Sequence, residues 1–345
     1  MWRHLKYILK DKSCLKNIIN IANVCVEIGY WPSHFKTSTT IIIPKPNKVL
    51  YNFPKAFRSI VLLNTLGKLI EKVISNRLQF HVISNNFIHQ SQLEGLKFKS
   101  TSNTSIMLTH FIHIGWIRNL TTSILAFDIS QFFSSLNHYL LTLILGKAGF
   151  DPRVVKFFSN YLVSRKTQYF WNSFSSPFFN IDIGVGQGSA LSSIFLALYL
   201  SSLLYILENC LKNLKIPVSI LSFVDDGLII AQSKSLYLSN SQLFCSYNVV
   251  SNLLSKFGLI VEYSKTEVFH FSRLHGSFNP PSLNLSPLGS PILLPKDSWK
   301  YLGFIFNRKI SFHQHINFYS NKAISNIKYM QILRNSVKFV IPHHK

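Results

Sequence analysis

The chain has 345 residues, of which 47% are hydrophobic, enough to bury a large core and to exclude wholesale disorder. Its 36 Lys and Arg residues outnumber 13 Asp and Glu residues, which gives a formal net charge of +23. This excess predicts a polyanionic partner, most often a nucleic acid and less often an anionic membrane. Compositional drift of an AT-rich gene towards lysine is the alternative explanation of the charge.

The first third of the chain alternates predicted helices with a predicted strand. Apolar spacing predicts an amphipathic helix over 13–28 and a second helix over 66–83. Between them, 37–48 is typical of a strand that Pro44 stops, followed by a basic turn. A polar loop then leads into a third predicted helix around 104–116.

The remainder predicts a single mixed sheet with helices. A β-rich run at 122–130 is typical of a buried strand. The later predicted elements are helical pattern over 137–162, an apolar helix at 189–208, strand-like runs at 217–223 and 227–233, a helix at 244–257, strands at 258–264 and 267–272, a loop at 279–295, and a strand or hairpin at 299–307. From 122 onwards, the order strand, helix, helix, hairpin, helix, strand is typical of a ferredoxin-like sheet with helices on one face.

Two features bear on the compartment. The segment 183–207 has no charged residue and is long enough to cross a bilayer. It begins with a glycine-rich run, however, and Ser201 and Ser202 interrupt its apolar part, so we expect a buried helix and keep a membrane span as the alternative.

The charged N-terminus lacks the apolar core of a signal peptide, and the four scattered cysteines indicate neither a zinc site nor a disulfide framework.

Asp225 and Asp226 form the only adjacent acidic pair in the chain, between two apolar strand-like runs. Alone, such a pair is most often a solvated hairpin turn. The predicted topology places Asp128 at the end of the neighbouring strand, so three carboxylates should converge at one edge of the sheet. Converging carboxylates repel one another unless a cation neutralises them. Their oxygen ligands predict Mg²⁺, and two such ions roughly 3.5–4 Å apart support in-line phosphoryl transfer.

Six ordered motifs resemble those of reverse transcriptases. The segment "FVDDGLII" (223–230) is similar to the F/Y-x-D-D box of these enzymes. The others, in chain order, are "IIIPKPNK" with "FRSIVLLNTLGKLIEKVISNRL" (41–78), "LAFDISQFFSSLNHYLL" (125–141), "GVGQGSALSS" (184–193), "GLIVEYSKTEVFHFS" (258–272) and "WKYLGFIF" (299–306). The resemblance covers about residues 30–310, and the motif sequences are most similar to those of the enzymes of fungal non-LTR (LINE-type) retrotransposons.

This resemblance implies an α/β (α+β) right-hand polymerase fold with a ferredoxin-like palm, helical and strand-containing fingers, and a truncated thumb. The implied regions are an N-terminal helical extension (1–36), fingers (37–121), palm with fingers insertions (122–295), and primer grip with the start of a thumb (296–345). The implied activity is addition of dNTPs to a DNA primer 3′ end on an RNA template. Two Mg²⁺ ions, with Mn²⁺ as an alternative, are the implied cofactors. The resemblance also implies that the protein acts in the nucleus and has no membrane partner. It further implies an endonuclease domain that is supplied elsewhere in the retrotransposon.

The resemblance also implies roles for single residues. Asp128, Asp225 and Asp226 match the catalytic, metal-binding carboxylates, and the backbone carbonyl of Ile129 is expected to help hold a metal. Phe133 is expected to pack under the incoming sugar, which would favour dNTPs over rNTPs. The other implied dNTP- or template-binding residues are Lys45, Arg58, Gln187, Gly188 and Lys265. The implied primer grip comprises Trp299, Tyr301, Leu302 and Gly303. Taken singly, core packing, helix capping or a solvated charge would explain most of these residues.

Four positions depart from the family pattern. Ser59, Ser134 and Ser193 stand where family members commonly have proline, and Glu94 stands where glycine is common. Single transitions in the gene would produce all four changes. They favour an alternative hypothesis, in which the chain is a catalytically weak or inactive nucleic-acid-binding remnant of a decayed element.

Overall fold

The computed structural model describes residues 7, 10–46, 50–93, 100–273, 279–285 and 292–338 of the chain. Its helices are α1 (Lys12–Glu27), α2 (Thr65–Ser84), α3 (Thr101–Ile117), α4 (Phe132–Ser135), α5 (His138–Lys147), α6 (Pro152–Leu162), α7 (Ser192–Asn213), α8 (Leu236–Lys256) and α9 (His313–Lys338). Its strands are β1 (Thr37–Pro44), β2 (Phe57–Leu63), β3 (Thr121–Ser130), β4 (Arg165–Trp171), β5 (Phe174–Ile181), β6 (Val218–Phe223), β7 (Asp226–Ser233), β8 (Ile260–Val261), β9 (Glu267–Phe271), β10 (Ser298–Tyr301) and β11 (Phe304–Asn307).

The chain divides into two compact units. The first unit comprises Met1–Ser100, Ala126–Ile229 and Cys245–Thr266. The second unit comprises Thr101–Leu125, Ile230–Phe244 and Glu267–Lys345. Strands β3 and β7 each contribute residues to both units.

A four-stranded sheet in the first unit has the order β2-β1-β4-β5. Strand β1 pairs antiparallel with β2 and parallel with β4, and β4 pairs antiparallel with β5. The predicted strand that Pro44 stops is confirmed as β1. The β4–β5 hairpin was not predicted, because its aromatic run does not alternate with polar residues. Its turn is marked only by Asn172, which adopts φ +53, a left-handed conformation that asparagine tolerates better than most residues.

A second sheet has the order β6-β7-β3-β8, and β9 also pairs with β3. The predicted buried strand is therefore confirmed as β3, and the predicted hairpin as β6 and β7, which Val224 and Asp225 connect. The strand predicted over 258–264 was wrong in extent. It ends at Val261, and a short 3₁₀ turn, Tyr263–Lys265, follows, because the Lys265 N–H donates to the Glu262 carbonyl. The helix predicted at 244–257 begins earlier, at Leu236.

Helix α7 forms much of the core of the first unit. It is long and apolar enough to cross a membrane by length and composition, but 67% of its apolar window is buried inside the protein. Its neighbours include α5 and α2, and α1 packs on α2 and α6. The Tyr199 hydroxyl donates to the Phe257 carbonyl at 2.6 Å, which satisfies its polar end. The predicted buried helix is confirmed.

Candidate active site

Asp128 and Asp225 lie side by side at the end of β3. Asp128 is 8% exposed and is the third residue from the end of the strand. Asp225 is half-buried in the turn between β6 and β7. The Ile129 N–H donates to the Asp225 carbonyl at 2.8 Å, which ties that turn directly to β3. The backbone therefore fixes the two carboxylates on neighbouring segments.

The glycine after the acidic pair has a packing reason. A Cβ on Gly227 would lie 2.2 Å from Cζ of Phe127, well inside any allowed contact. The Phe127 ring, 7% exposed, thus packs directly on the backbone of Gly227. Phe127 and Gly227 therefore hold β3 and β7 together beside the carboxylates.

Lys265 neutralises part of the negative charge. Its ammonium group donates a hydrogen bond to Oδ2 of Asp128. Partial burial alone would lower the pKa of Lys265, but the hydrogen bond to Asp128 and the nearby carboxylates raise it above its ordinary value. Burial raises the pKa of Asp225, and the charge of Asp128 adds to this rise while Lys265 opposes it. The site is therefore a pair of repelling carboxylates with a cation beside them.

The structure brings together two of the three expected carboxylates. Across the described ranges, no group of three or more His, Cys, Asp and Glu side chains is placed to hold a metal ion. Asp226 is half-buried at the first position of β7, directly after Asp225. Asp128 and Asp225 nevertheless fit Mg²⁺, which prefers one or two carboxylates together with substrate phosphates and water.

The glycine-rich loop packs against the segment that follows Asp128. The Val185 N–H donates to the Phe133 carbonyl, and the Gly184 N–H to the Leu136 carbonyl, both at 2.7 Å. A Cβ on Gly184 would lie 2.6 Å from Cα of Ser134, so only glycine allows this approach. The loop and the residues after β3 therefore form one hydrogen-bonded unit that includes Phe133.

The other end of the loop is attached to β2. The Val61 N–H donates to the Gln187 carbonyl at 3.1 Å. Gly188 adopts φ +126, and a Cβ there would lie 2.7 Å from the Val61 carbonyl oxygen. The structure thus places Gln187 and Gly188 between β2 and the segment that contains Phe133.

Glu71 supports this loop from inside the protein, a role that the sequence did not indicate. It is 1% exposed on α2 and accepts hydrogen bonds from the hydroxyl groups of Tyr161 (2.7 Å) and Ser189 (2.8 Å). The Ala190 N–H also donates to it, at 3.2 Å. Burial raises the pKa of Tyr161, so its hydroxyl remains a donor to Glu71. The only available signal was a lone glutamate on the inward face of a predicted helix.

Lys45 follows β1 directly and Arg58 lies on β2, and a contact of either residue with a triphosphate stays a prediction. Lys45 donates from Nζ to the Lys55 carbonyl at 3.0 Å, within its own connection, and Arg58 is exposed on β2. Lys55 forms an ion pair with Glu262 at 2.8 Å. The Glu262 N–H donates to the Asp128 carbonyl at 2.8 Å. Lys55 is therefore connected to the carboxylate site through Glu262.

Glu262 is a further carboxylate near the site. The hydrogen bond from Lys55, followed by that from Ser264, lowers the pKa of Glu262 below its ordinary value. Sequence reasoning missed both partners, because Lys55 is one of many basic residues and Glu262 belongs to a run predicted as a strand.

The predicted primer-grip residues lie together in the second unit. Trp299 and Tyr301 are buried on β10, with ring centroids 4.8 Å apart and nearly parallel. Leu302 and Gly303 form the turn to β11, with φ values of +47 and +89. The two aromatic rings thus belong to the core of this hairpin, and the half-buried Leu302–Gly303 turn is its end. A contact with a primer stays a prediction.

Comparison with known proteins places the chain in a family. The family model described as "Reverse transcriptase (RNA-dependent DNA polymerase)" matches residues 43–306. The chain is 25% identical over 315 residues to the "RNA-directed DNA polymerase from mobile element jockey" of Drosophila melanogaster, covering 90% of this chain and 33% of that protein. It is 24% identical over 292 residues to the "Retrovirus-related Pol polyprotein from type-1 retrotransposable element R2" of Popillia japonica, covering 81% and 38%.

These relatives are insect proteins, and they give no support to the fungal likeness expected from the motif wording. The chain spans about a third of the length of the curated relatives it matches.

Solved structures agree on the fold. An apo telomerase from Candida tropicalis, truncated from its C-terminal domain, superposes with a TM-score of 0.54 at 14% identity, covering 79% of this chain and 53% of that one. A Candida albicans telomerase gives 0.55 at 14% identity, covering 82% and 48%. The mixed α/β architecture is thus that of a right-hand polymerase. The chain belongs to the reverse transcriptase (RNA-dependent DNA polymerase) family and is related to the polymerases of non-LTR retrotransposons.

Proposed function

We propose that the chain adds dNTPs to the 3′ end of a DNA primer on an RNA template, in the nucleus, as the polymerase part of a non-LTR retrotransposon protein. The observation that supports this most strongly is the placement of Asp128 and Asp225 on adjoining backbone segments beside Lys265. The family match over residues 43–306 supports the same activity. The proposal includes the similarity of the motif sequences to those of fungal elements.

Asp128 and Asp225 would hold the metal, with the Ile129 carbonyl and Asp226 as further ligands on substrate binding. When bound, two Mg²⁺ ions, or Mn²⁺, supply Lewis-acid activation of the primer 3′-hydroxyl and charge neutralisation at the leaving pyrophosphate. Lys265 would move from Asp128 to the departing phosphates, because the ion would then neutralise the carboxylate in its place. Lys45 and Arg58 add positive charge along the path of the triphosphate.

Phe133 would set sugar selection. Its carbonyl is tied to Val185 of the glycine-rich loop, which limits how far the Phe133 backbone can move when a nucleotide binds. A fixed aromatic ring under the sugar excludes a 2′-hydroxyl by contact rather than by charge. Gln187 and Gly188, which lie at the other end of the same loop, would contact the new base pair. The Leu302–Gly303 turn, with Trp299 and Tyr301 beneath it, would contact the primer.

A primer-extension assay tests the proposal. An RNA template with an annealed DNA primer is incubated with dNTPs and Mg²⁺, and extended primer is measured for wild type and Asp225→Asn. We expect extension by wild type and a loss of at least about a hundredfold in Asp225→Asn, because a ligand to the ions is lost. Asp11→Asn is the matched control, since Asp11 caps α1 and asparagine caps helices equally well.

The alternative is a nucleic-acid-binding remnant without catalysis. Such a protein would bind template and primer through its positive charge but extend nothing. Ser193 and Ser134, two of the positions that motivate this alternative, lie in the first turn of α7 and in α4, while Glu94 lies outside the described residues. Binding without extension by wild type would favour the remnant, and extension that survives Asp225→Asn would contradict the proposed mechanism.

A further inference from the structure

One end of the four-stranded sheet has an exposed aromatic cluster. Strands β1 and β4 run parallel, so both end there, while β2 and β5 begin there. The side chains at this end, called here the sheet-tip aromatics, are Tyr51, Phe53, Phe57, Trp171 and Phe174. Tyr51 is 41% exposed, Phe53 65%, Trp171 50% and Phe174 67%. Exposed aromatic residues that cluster in this way mark an interaction site more often than scattered ones do.

Three of the rings are in contact with one another. The Phe57 ring lies 5.3 Å from that of Trp171 and 5.8 Å from that of Tyr51, measured between centroids. Phe174 stands directly opposite Trp171 in the β4–β5 register, and opposed residues of an antiparallel pair share a face. Rings from three separate chain segments thus meet at one place, and the backbone of two hairpins fixes their positions.

The surroundings of the rings are basic. No Asp or Glu occurs in residues 28–70 or 152–181, which contain all four strands of this sheet. Lys45 and Arg58 lie at this end of the sheet, directly after β1 and at the start of β2, while the neighbouring Lys55 is paired with Glu262. Aromatic faces beside cations match the chemistry of an unpaired nucleic-acid strand, whose bases stack and whose phosphates need positive charge. A lipid surface or an apolar protein partner would explain the rings but would not need an acid-free sheet.

We propose that the sheet-tip aromatics stack on the bases of unpaired RNA, namely template nucleotides that have not yet paired with the growing DNA strand. This inference rests on the proposed function, since it assumes that RNA is the template. Stacking on a preformed set of rings would hold the template extended before each base reaches the catalytic carboxylates. Because every base has an aromatic face, the contact would not depend on sequence.

The test measures RNA affinity separately from catalysis. The Asp225→Asn protein, which lacks the proposed catalysis, is used throughout, and anisotropy of a labelled single-stranded RNA of about 12 nucleotides gives the Kd. Adding Trp171→Ala or Phe174→Ala should weaken binding by roughly 5- to 100-fold each. Trp171→Phe should restore most of the affinity, because it keeps a ring. Phe80→Ala is the matched control, since Phe80 is a 75% exposed aromatic residue on α2.

Two further readouts separate stacking from charge. The slope of log Kd against log salt should be unchanged in Trp171→Ala, because no cation is removed. Affinity for a blunt RNA duplex should also be unchanged, because its bases are already stacked. The proposal is overturned if single-stranded RNA binding is unaffected by both alanine variants, or if duplex binding falls equally. The proposal is also overturned if the two alanine variants keep their affinity for single-stranded RNA but lose self-association or binding to anionic vesicles. None of these results depends on whether primer extension is observed.

Discussion

Oδ2 of Asp128 accepts a hydrogen bond from the ammonium group of Lys265, a residue 137 positions later in the chain. Asp128 is buried, so its charge needs a partner, and Lys265 provides one. A short 3₁₀ turn directly after β8 brings Lys265 to this position. The same lysine would be released once Mg²⁺ binds the carboxylates.

Replacement of Lys265 should therefore affect stability in a metal-dependent way. In metal-free buffer, Lys265→Ala should lower the free energy of unfolding by about 1–3 kcal/mol, because it leaves a buried carboxylate without its partner. Added Mg²⁺ should raise the melting temperature of Lys265→Ala more than that of wild type, since the ion then supplies the missing charge. Thermal melts with and without Mg²⁺ measure both effects.

Lys296→Ala is the control for this experiment. Lys296 pairs with Glu267 at the surface of the second unit, and exposed pairs contribute only about 0–1 kcal/mol. Its melting temperature should respond to Mg²⁺ as wild type does. An equal response of Lys265→Ala and wild type to Mg²⁺ would show that Lys265 does not occupy the place of the ion.

Asp225→Asn should stabilise the folded protein near neutral pH. Burial raises the pKa of Asp225 above its ordinary value of 3.8, so ionising it in the folded state costs free energy. Below pH 3.8 the carboxyl group is protonated in both folded and unfolded chains, and the cost disappears. The cost grows as the pH rises from there and is fully present above the raised pKa. The melting temperature of Asp225→Asn should exceed that of wild type at pH 7, and the difference should vanish towards pH 3.5 to 4. A constant difference across this range would rule out the ionisation cost.

Glu71 should be essential for stability although it is remote from substrate. Its carboxylate accepts three hydrogen bonds, and Arg165 lies over the ring of its partner Tyr161 at 4.7 Å. Glu71→Ala should lower the free energy of unfolding by about 2–4 kcal/mol, because two hydroxyl groups and an N–H lose their acceptor. Glu27→Ala, an exposed change on α1, should cost less than about 0.5 kcal/mol. Urea unfolding compares them, and equal midpoints would refute the anchoring role.

The positions that lack an expected proline should respond unequally when it is restored. Ser193 lies in the first turn of α7, where proline is tolerated, so Ser193→Pro should add about 0.4–1 kcal/mol by restricting the unfolded chain. Ser134→Pro should gain less, because it removes the N–H that donates to the Gln131 carbonyl at 2.9 Å. Chemical denaturation of both variants checks this order. A loss of stability in Ser193→Pro would count against a decayed scaffold.

The sequence predicted the parts of the site that depend on local pattern. The β-rich run at 122–130 and the two apolar runs around the acidic pair identified β3, β6 and β7, and the order of the predicted elements placed Asp128 beside Asp225. It could not predict the Glu71 network, because Tyr161 and Ser189 lie 90 and 118 residues away from Glu71 along the chain. The Lys55–Glu262 pair depends in the same way on where two connections meet. The β4–β5 hairpin was not predicted, because its exposed aromatic residues do not alternate with polar residues as the side chains of a half-buried strand do.

Template-directed addition of a single nucleotide is the sharpest test of whether the chain is an RNA-directed DNA polymerase. The first unpaired RNA base is varied among the four identities, each dNTP is offered alone with Mg²⁺, and the extended primer is measured for wild type and Asp225→Asn. We expect wild type to add the complementary dNTP in each case and Asp225→Asn to add none. Addition that ignores the template base, or that persists in Asp225→Asn, would contradict this expectation.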